Sequence, residues 1–225
     1  MRSRSMLPVM AALPLAALLL PALALAEASD YYDHKGTFAI GGGWNQPAGS
    51  TTQYFNSSGS FYFAAGRNLG TRLALQGEFT HNWLTVDPDV LQRASSDSVQ
   101  ITGSNARMWS ICLNAVFRFK GRTGAIPWVT GGVGYYKRSI ELSTTTQTYV
   151  PPVWDPWWGW IDGGWVPGES IVGQRTDAGT GFNVGFGVDF PIESSTLLFV
   201  EARYHHAILD ERDMELVPIM AGLRW

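Results

Sequence analysis

Residues 181–190 read Gly-Phe-Asn-Val-Gly-Phe-Gly-Val-Asp-Phe, a strict two-residue repeat over ten positions. Phe182, Val184, Phe186, Val188 and Phe190 fall on one side of an extended chain. Gly181, Asn183, Gly185, Gly187 and Asp189 fall on the other. Successive side chains of a strand point to opposite faces, so this period predicts a strand with a bulky apolar face and a small polar one.

The same alternation recurs on both sides of this stretch. In residues 72–84, Leu73, Leu75, Gly77, Phe79, His81 and Trp83 oppose Arg72, Ala74, Gln76, Glu78, Thr80 and Asn82. In residues 108–120, Trp109, Ile111, Leu113, Ala115, Phe117 and Phe119 oppose Ser110, Cys112, Asn114, Val116, Arg118 and Lys120. Weaker strand patterns span residues 36–45, 60–68, 126–140, 196–207 and 215–225, which brings the total to eight. In 60–68 and 126–140 both faces carry apolar or glycine residues, so the pattern leaves their sidedness open.

Connection lengths alternate. Residues 68–71, 121–125 and 191–195 are short and built from Gly, Asn, Pro and Ser, whereas 44–59, 85–106, 141–178 and, more briefly, 208–214 are the longer links. An even number of strands with short turns at one end and long loops at the other predicts an all-β, eight-stranded antiparallel up-and-down transmembrane β-barrel. Its short turns would be periplasmic and its long loops extracellular. A soluble lipocalin-like barrel is the competing architecture and would turn the apolar face inward.

Eight strands enclose room only for side chains, so the small polar face predicts a narrow polar lumen. Glu78, Arg118, Asp189, Glu201, Arg203 and Arg224 fall on inferred inward positions, with Leu197 and Phe199 on the same face as Glu201 and Arg203. An unpaired ion there would cost several kcal/mol, so these six are expected to form a lumen network of salt bridges and hydrogen bonds. Trp44, Trp83, Trp109, Trp128 and Trp225, near strand ends, fit interfacial girdles.

The chain opens with Arg2 and Arg4, an apolar run from Met6 to Leu25 broken by Pro8, Pro14 and Pro21, and a small-x-small site at Ala24-Leu25-Ala26. Residues 1–26 therefore read as a cleavable signal peptide, and 27–225 as the barrel domain. Removing two arginines from 16 basic side chains leaves 14 against 19 acidic, a formal charge near −5 that gives no footprint for nucleic acid. The single cysteine, Cys112, allows no internal disulfide.

At the C-terminal end Val217, Ile219, Ala221, Leu223 and Trp225 alternate with Pro218, Met220, Gly222 and Arg224. This resembles the assembly signal of outer-membrane barrels, and with the leader and the loop asymmetry residues 35–225 resemble the small eight-stranded barrels related to the transmembrane domain of OmpA. The resemblance implies recognition of Val217, Ile219, Leu223 and Trp225 by the barrel-assembly machinery. It also implies an outer-membrane location among lipid and lipopolysaccharide. Family members usually end on Phe, so Trp225 is a departure that keeps the aromatic.

Chemistry is harder to find. Arg203-Tyr204-His205-His206-Ala207 is similar to a segment of the lipid A 3-O-deacylases, whose triad places a serine two residues beyond the histidine. Here those positions are Ala207 and Ile208, which removes the nucleophile. His205, His206, Asp210 and Asp213 have no established metal-ligand spacing, so no metal site, catalytic residue or cofactor is assigned. Asp87, Asp89 and Asp97, with Asp210, Glu211 and Asp213, read as loop charge.

The third long loop holds five of the ten tryptophans: Trp154, Trp157, Trp158, Trp160 and Trp165. They read either as a surface patch that binds carbohydrate or lipid, or as a loop folded over the barrel mouth with its indoles packed inward. Pro151, Pro152, Pro156 and Pro167 argue against a long hairpin through this loop. The expected function is a non-enzymatic, monomeric structural or surface-interaction barrel. The alternatives are a narrow channel for ions or small apolar molecules and, third, a lipid-modifying enzyme. N-terminal sequencing of protein from the membrane fraction should begin at Glu27; a chain retaining Met1 would overturn the leader.

Overall fold

A computed structural model describes residues 32, 35–96, 100–119, 124–193 and 195–225. The expected signal segment, Asp97, and much of the 121–125 turn lie outside these residues. Eight long strands among them are β1 (Gly36–Pro47), β2 (Ser58–Asn68), β3 (Leu73–Val86), β4 (Gly103–Arg118), β5 (Ile126–Val150), β6 (Gly164–Glu193), β7 (Thr196–Leu209) and β8 (Met214–Arg224). Each pairs antiparallel with its sequence neighbour, and β1 pairs with β8 from Ala39↔Arg224 to Pro47↔Leu216, so the sheet closes into a ring. The seam is fastened at its end by Phe38 and Trp225, whose backbone N–H groups each donate to the other's carbonyl at 2.9 and 2.8 Å.

Sidedness separates the two architectures. Phe38, Ile40, Phe61, Phe63, Phe79, Ile111, Leu113, Val133, Val184 and Phe186 are exposed on the outside. Glu78, Asn114, Arg118, Asp189 and Arg203 are buried within. An apolar belt of that extent suits hydrocarbon and not water, and the closed ladder satisfies the backbone there. No described helix is long and apolar enough to cross a membrane; the strands do the crossing.

The two ambiguous strands are settled by burial. Ser60, Tyr62, Ala64 and Asn68 point inward on β2, and Ile126, Trp128, Thr130, Tyr136 and Arg138 point inward on β5. Trp128 therefore departs from the expected girdle: it is a lumen residue. Gly187 lies directly opposite on β6, and a Cβ there would collide with the Trp128 ring. Gly41 makes the same kind of room for Phe199, whose Cζ would stand 2.7 Å from an added Cβ.

The lumen is also less uniformly polar than the sequence suggests. Its turn side and middle carry the six expected charges, but its loop side is mostly apolar, with Leu84, Met108, Tyr136, Met214 and Leu216 capped by Phe55 and Val86 around one buried ion pair, Arg138–Asp177. Most inward positions near the loops thus hold hydrocarbon, which needs no partner in a dry interior.

The described parts of the loops are structured. After β1 the chain makes a 3-10 turn (Gly49–Gln53) and a two-residue strand (Phe55–Asn56). Helix α1 (Pro88–Ala94) follows β3, with Asp87 as N-cap accepting from the Asp89 N–H at 2.9 Å and proline at its first position. Replacing Gly187 with leucine should displace Trp128 and destabilise the barrel by about 1–3 kcal/mol; urea unfolding of the detergent-folded protein tests this, and an unchanged midpoint would contradict the packing.

Candidate functional site

Three regions could carry function: the charged lumen, the histidine pair on β7, and the outer loops. In the lumen the six charged residues singled out from the sequence are all buried, in two groups. Arg203 sits between Glu78 and Glu201, pairing with Glu78 through Nη1 and with Glu201 Oε2 through Nη2 at 3.0 Å. Asn114 Nδ2 donates to the second Glu78 oxygen at 2.7 Å, and Asn114 Oδ1 accepts from Asn183 Nδ2 at 2.8 Å.

Nearer the turns, Asp189 accepts from Arg224 at 2.6 Å, from the Trp128 indole N–H at 2.8 Å and from the Tyr32 hydroxyl. Arg224 also lies over Trp128, 4.7 Å from its ring centre. Arg118 makes no ion pair among the described residues and lies 3.8 Å from the Tyr32 ring centre. That differs from the expected salt bridge: the guanidinium lies against an aromatic face, a cation–π contact that offsets part of the cost of its burial. The lower group has one acid and two arginines, the upper two acids and one arginine, so each group's excess offsets the other's.

Sequence reading put Asn114 and Asn183 on the lumen face without giving them a part in the network, and passed over Tyr32, Trp128 and the buried pair Arg138–Asp177 as members of this interior. Asp177 was within reach, since continuing the odd register from Asp189 puts it inward; Arg138 was not, because the sidedness of 126–140 was open and Trp128 read as an outward girdle residue. Tyr32 had no such signal.

The β7 histidines do not converge. His205 points inward, its Nδ1 3.1 Å from the Tyr136 hydroxyl, with Ala207 buried two residues on. His206 points outward beside Phe182, and its Nε2 is 3.8 Å from Asp213. Adjacent residues of one strand face opposite media, so neither a triad nor a shared metal site assembles from them.

The third loop corrects two expectations. β5 and β6 continue as a two-stranded ribbon, paired from Ser143↔Ile171 to Val150↔Gly164. Pro167 is accommodated opposite Gln147 because a ribbon has free edges where a missing N–H costs nothing. At about 3.3 Å per residue, Leu142 to Val150 carries the ribbon roughly 25 Å outward. Pro151 and Pro152 interrupt it, and a tip hairpin follows, Val153–Asp155 paired with Gly159–Ile161.

The tip turn is locally determined. Asp155 Oδ1 accepts from the backbone N–H groups of Trp157 and Trp158 at 2.8 and 2.9 Å, Pro156 sets the second position, and Gly159 takes φ +76°. The loop is not folded over the mouth. Trp157 is 86% exposed and Trp158 78%. Trp154 packs on Trp160 and Trp165 on Tyr149, with centroids 5.7 and 5.6 Å apart, yet all three tryptophans remain largely exposed.

Over the mouth itself lies a cavity of about 390 Å³, bounded by α1, the first and fourth loops and the base of the ribbon. Phe55, Val86, Val90, Leu91, Ile140 and Leu142 form its walls, and Arg138, Arg175 and Arg212 reach its rim.

A family model described as outer membrane protein beta-barrel domain matches residues 13–220. No curated protein sequence matches the chain. Among solved structures, Neisserial surface protein A is 14% identical, with 84% of this chain and 95% of that one covered and a TM-score of 0.54. OprG from Pseudomonas aeruginosa is 11% identical over 87% and 98% of the two chains at a TM-score of 0.47. Ail of Yersinia pestis is 14% identical over 85% and 100% at 0.44. At such identities these likenesses bear on fold alone.

Removing the Arg203 charge, as in Arg203→Met, should cost about 3–5 kcal/mol, because Glu78 and Glu201 would stay buried without their partner. Adding Glu78→Gln and Glu201→Gln should recover part of that loss in urea titrations; a triple variant no more stable than the single one would break the pairing argument.

Proposed function

Because the chain belongs to the outer membrane protein beta-barrel domain family and resides in the outer membrane, we propose that it is a non-enzymatic surface-interaction protein. The barrel anchors the third loop, and the loop's tryptophans bind sugar rings or lipid headgroups outside the cell. The exposure of Trp157 and Trp158 on a fixed turn carries this reading. Indole faces combine a large apolar surface with one N–H donor, which suits both a pyranose face and a headgroup layer. Ordering by Asp155, Pro156 and Gly159 lowers the entropy lost on binding.

The anchor role is supported by the filled lumen, where Arg118, Trp128, Arg203, Arg224, Tyr62 and Phe199 are all fully buried. The non-enzymatic reading is supported by Ala207 and Ile208 standing where a serine would be needed and by the opposed faces of His205 and His206. During biogenesis the barrel-assembly machinery reads the outward residues Val217, Ile219 and Leu223 of β8, the strand that closes the seam, and Trp225 directly after it. The mature chain acts as a monomer spanning 27–225.

Replacing Trp157 and Trp158 with serine should weaken binding to lipopolysaccharide-containing vesicles or to soluble surface oligosaccharide roughly tenfold, two aromatic contacts of about 0.5–1.5 kcal/mol each. The heat-modifiable gel shift of the barrel should persist. Equal binding by the variant and the parent, followed by tryptophan fluorescence, would sink the proposal.

A further inference from the structure

We propose that the cavity at the barrel mouth is a binding site for a single linear alkyl chain bearing an anionic head, a site separate from the tryptophan tip. Its volume of about 390 Å³ lies within the range of small-molecule pockets. The floor is the apolar plug of the outer lumen, capped by Phe55 and Val86, and the side wall is the base of the ribbon at Ile140 and Leu142.

The roof is the informative part. α1 directs Val90, Leu91 and Ala94 at the cavity, yet none of its residues is fully buried. A helix normally covers such a side with core; here hydrocarbon faces an unfilled space. The roof is nonetheless held in place. Asp87 caps α1, and its own N–H donates to the Tyr54 carbonyl at 2.9 Å, tying the helix to the first loop. An alkyl chain entering this space would remove apolar surface from water without remodelling the walls.

Charge at the rim selects the head. Arg138 is held by Asp177, and Arg175 by Glu211, with Asp177 3.8 Å from its Nε. Asp213 faces His206 at 3.8 Å. Arg212 stacks on Tyr54, 4.6 Å from the ring centre, and has no ion pair among the described residues. Its guanidinium is the cation left to receive a carboxylate or phosphate through charge-assisted hydrogen bonds.

The test uses the full chain in nanodiscs, sodium decanoate as probe and methyl NMR as readout. Decanoate should shift the methyls of Val86, Val90, Leu91, Ile140 and Leu142 and leave the lipid-facing Ile111 and Val133 unmoved. Affinity should rise about fourfold per added methylene from octanoate upward, the equivalent of about 0.8 kcal/mol for each CH₂ buried. Leu91→Trp, or Ala94→Trp should the first fail to fold, should abolish the shifts. Arg212→Gln should weaken decanoate binding about tenfold and leave decanol unchanged. Nanodiscs doped with lysophosphatidate and lacking free decanoate identify the source: pocket shifts there mean a bilayer lipid, and shifts only on adding decanoate mean a soluble ligand. Shifts spread equally to Ile111 and Val133, equal affinity for decanoate and decanol, or full binding by the cavity-filled variant would each overturn the site.

Discussion

Everything in this molecule depends on the hydrogen-bonded seam between its first and last strands. A backbone group left unpaired in hydrocarbon costs several kcal/mol, so a sheet in lipid must have no edge. Pairing β1 with β8 removes both edges at once, and the reciprocal bonds between Phe38 and Trp225 bring the closure to the end of the chain. Once eight strands close, the interior is too narrow to be a solvent-filled pore and must be packed as a core.

That core has to be assembled from the face that lipid does not want. The result is a lumen of two media. Near the turns, where Asp189, Arg118 and Arg224 meet Trp128 and Tyr32, charges are neutralised by each other and by aromatic faces. Near the loops, Met108, Met214 and Leu216 fill space without needing partners. Between them Arg203 bridges two carboxylates, and it decides whether the middle of the barrel carries one uncompensated negative charge or two. The glycines of β6 follow from the same packing: Gly187 is small because Trp128 is large.

The barrel was legible in the sequence because period two is a property of single strands, readable without knowing what pairs with what. Residues 181–190 alone separate a bulky apolar face from a small polar one, and burial then shows which of them faces outward. What pairing decides was not legible. Trp128, an aromatic at a strand end, reads as a girdle residue until Gly187 is known to stand opposite. The ribbon was missed because its prolines were weighed as breakers, although Pro167 on a free edge breaks nothing and the Thr-rich run 143–148 favours strand. α1 did leave a signal in Asp87-Pro88, a capping residue followed by proline at the first helical position. Arg118 was expected to pair with a carboxylate because Tyr32, its actual neighbour, lies outside every strand pattern.

The loops divide by whether they return to the mouth. Thr51 Oγ1 in the first loop accepts from the Glu215 N–H at 2.9 Å, and Ala48 donates to the Glu215 carbonyl at 3.0 Å, so the first loop is bound to the start of β8. α1 is bound to the first loop through Tyr54, and the fourth loop presents Arg212 to the same tyrosine. These three loops form one cap whose contacts extend the core, and changes there should be felt by the barrel. A transmembrane strand needs about 9–11 residues, yet β5 and β6 run to 25 and 30. Beyond Thr145, whose hydroxyl meets that of Thr102, the ribbon is paired only with itself among the described residues. A segment that spends so many residues leaving the barrel, and ends in exposed indoles on a fixed turn, is uncoupled from the stability of the fold and therefore free to be shaped by what it touches.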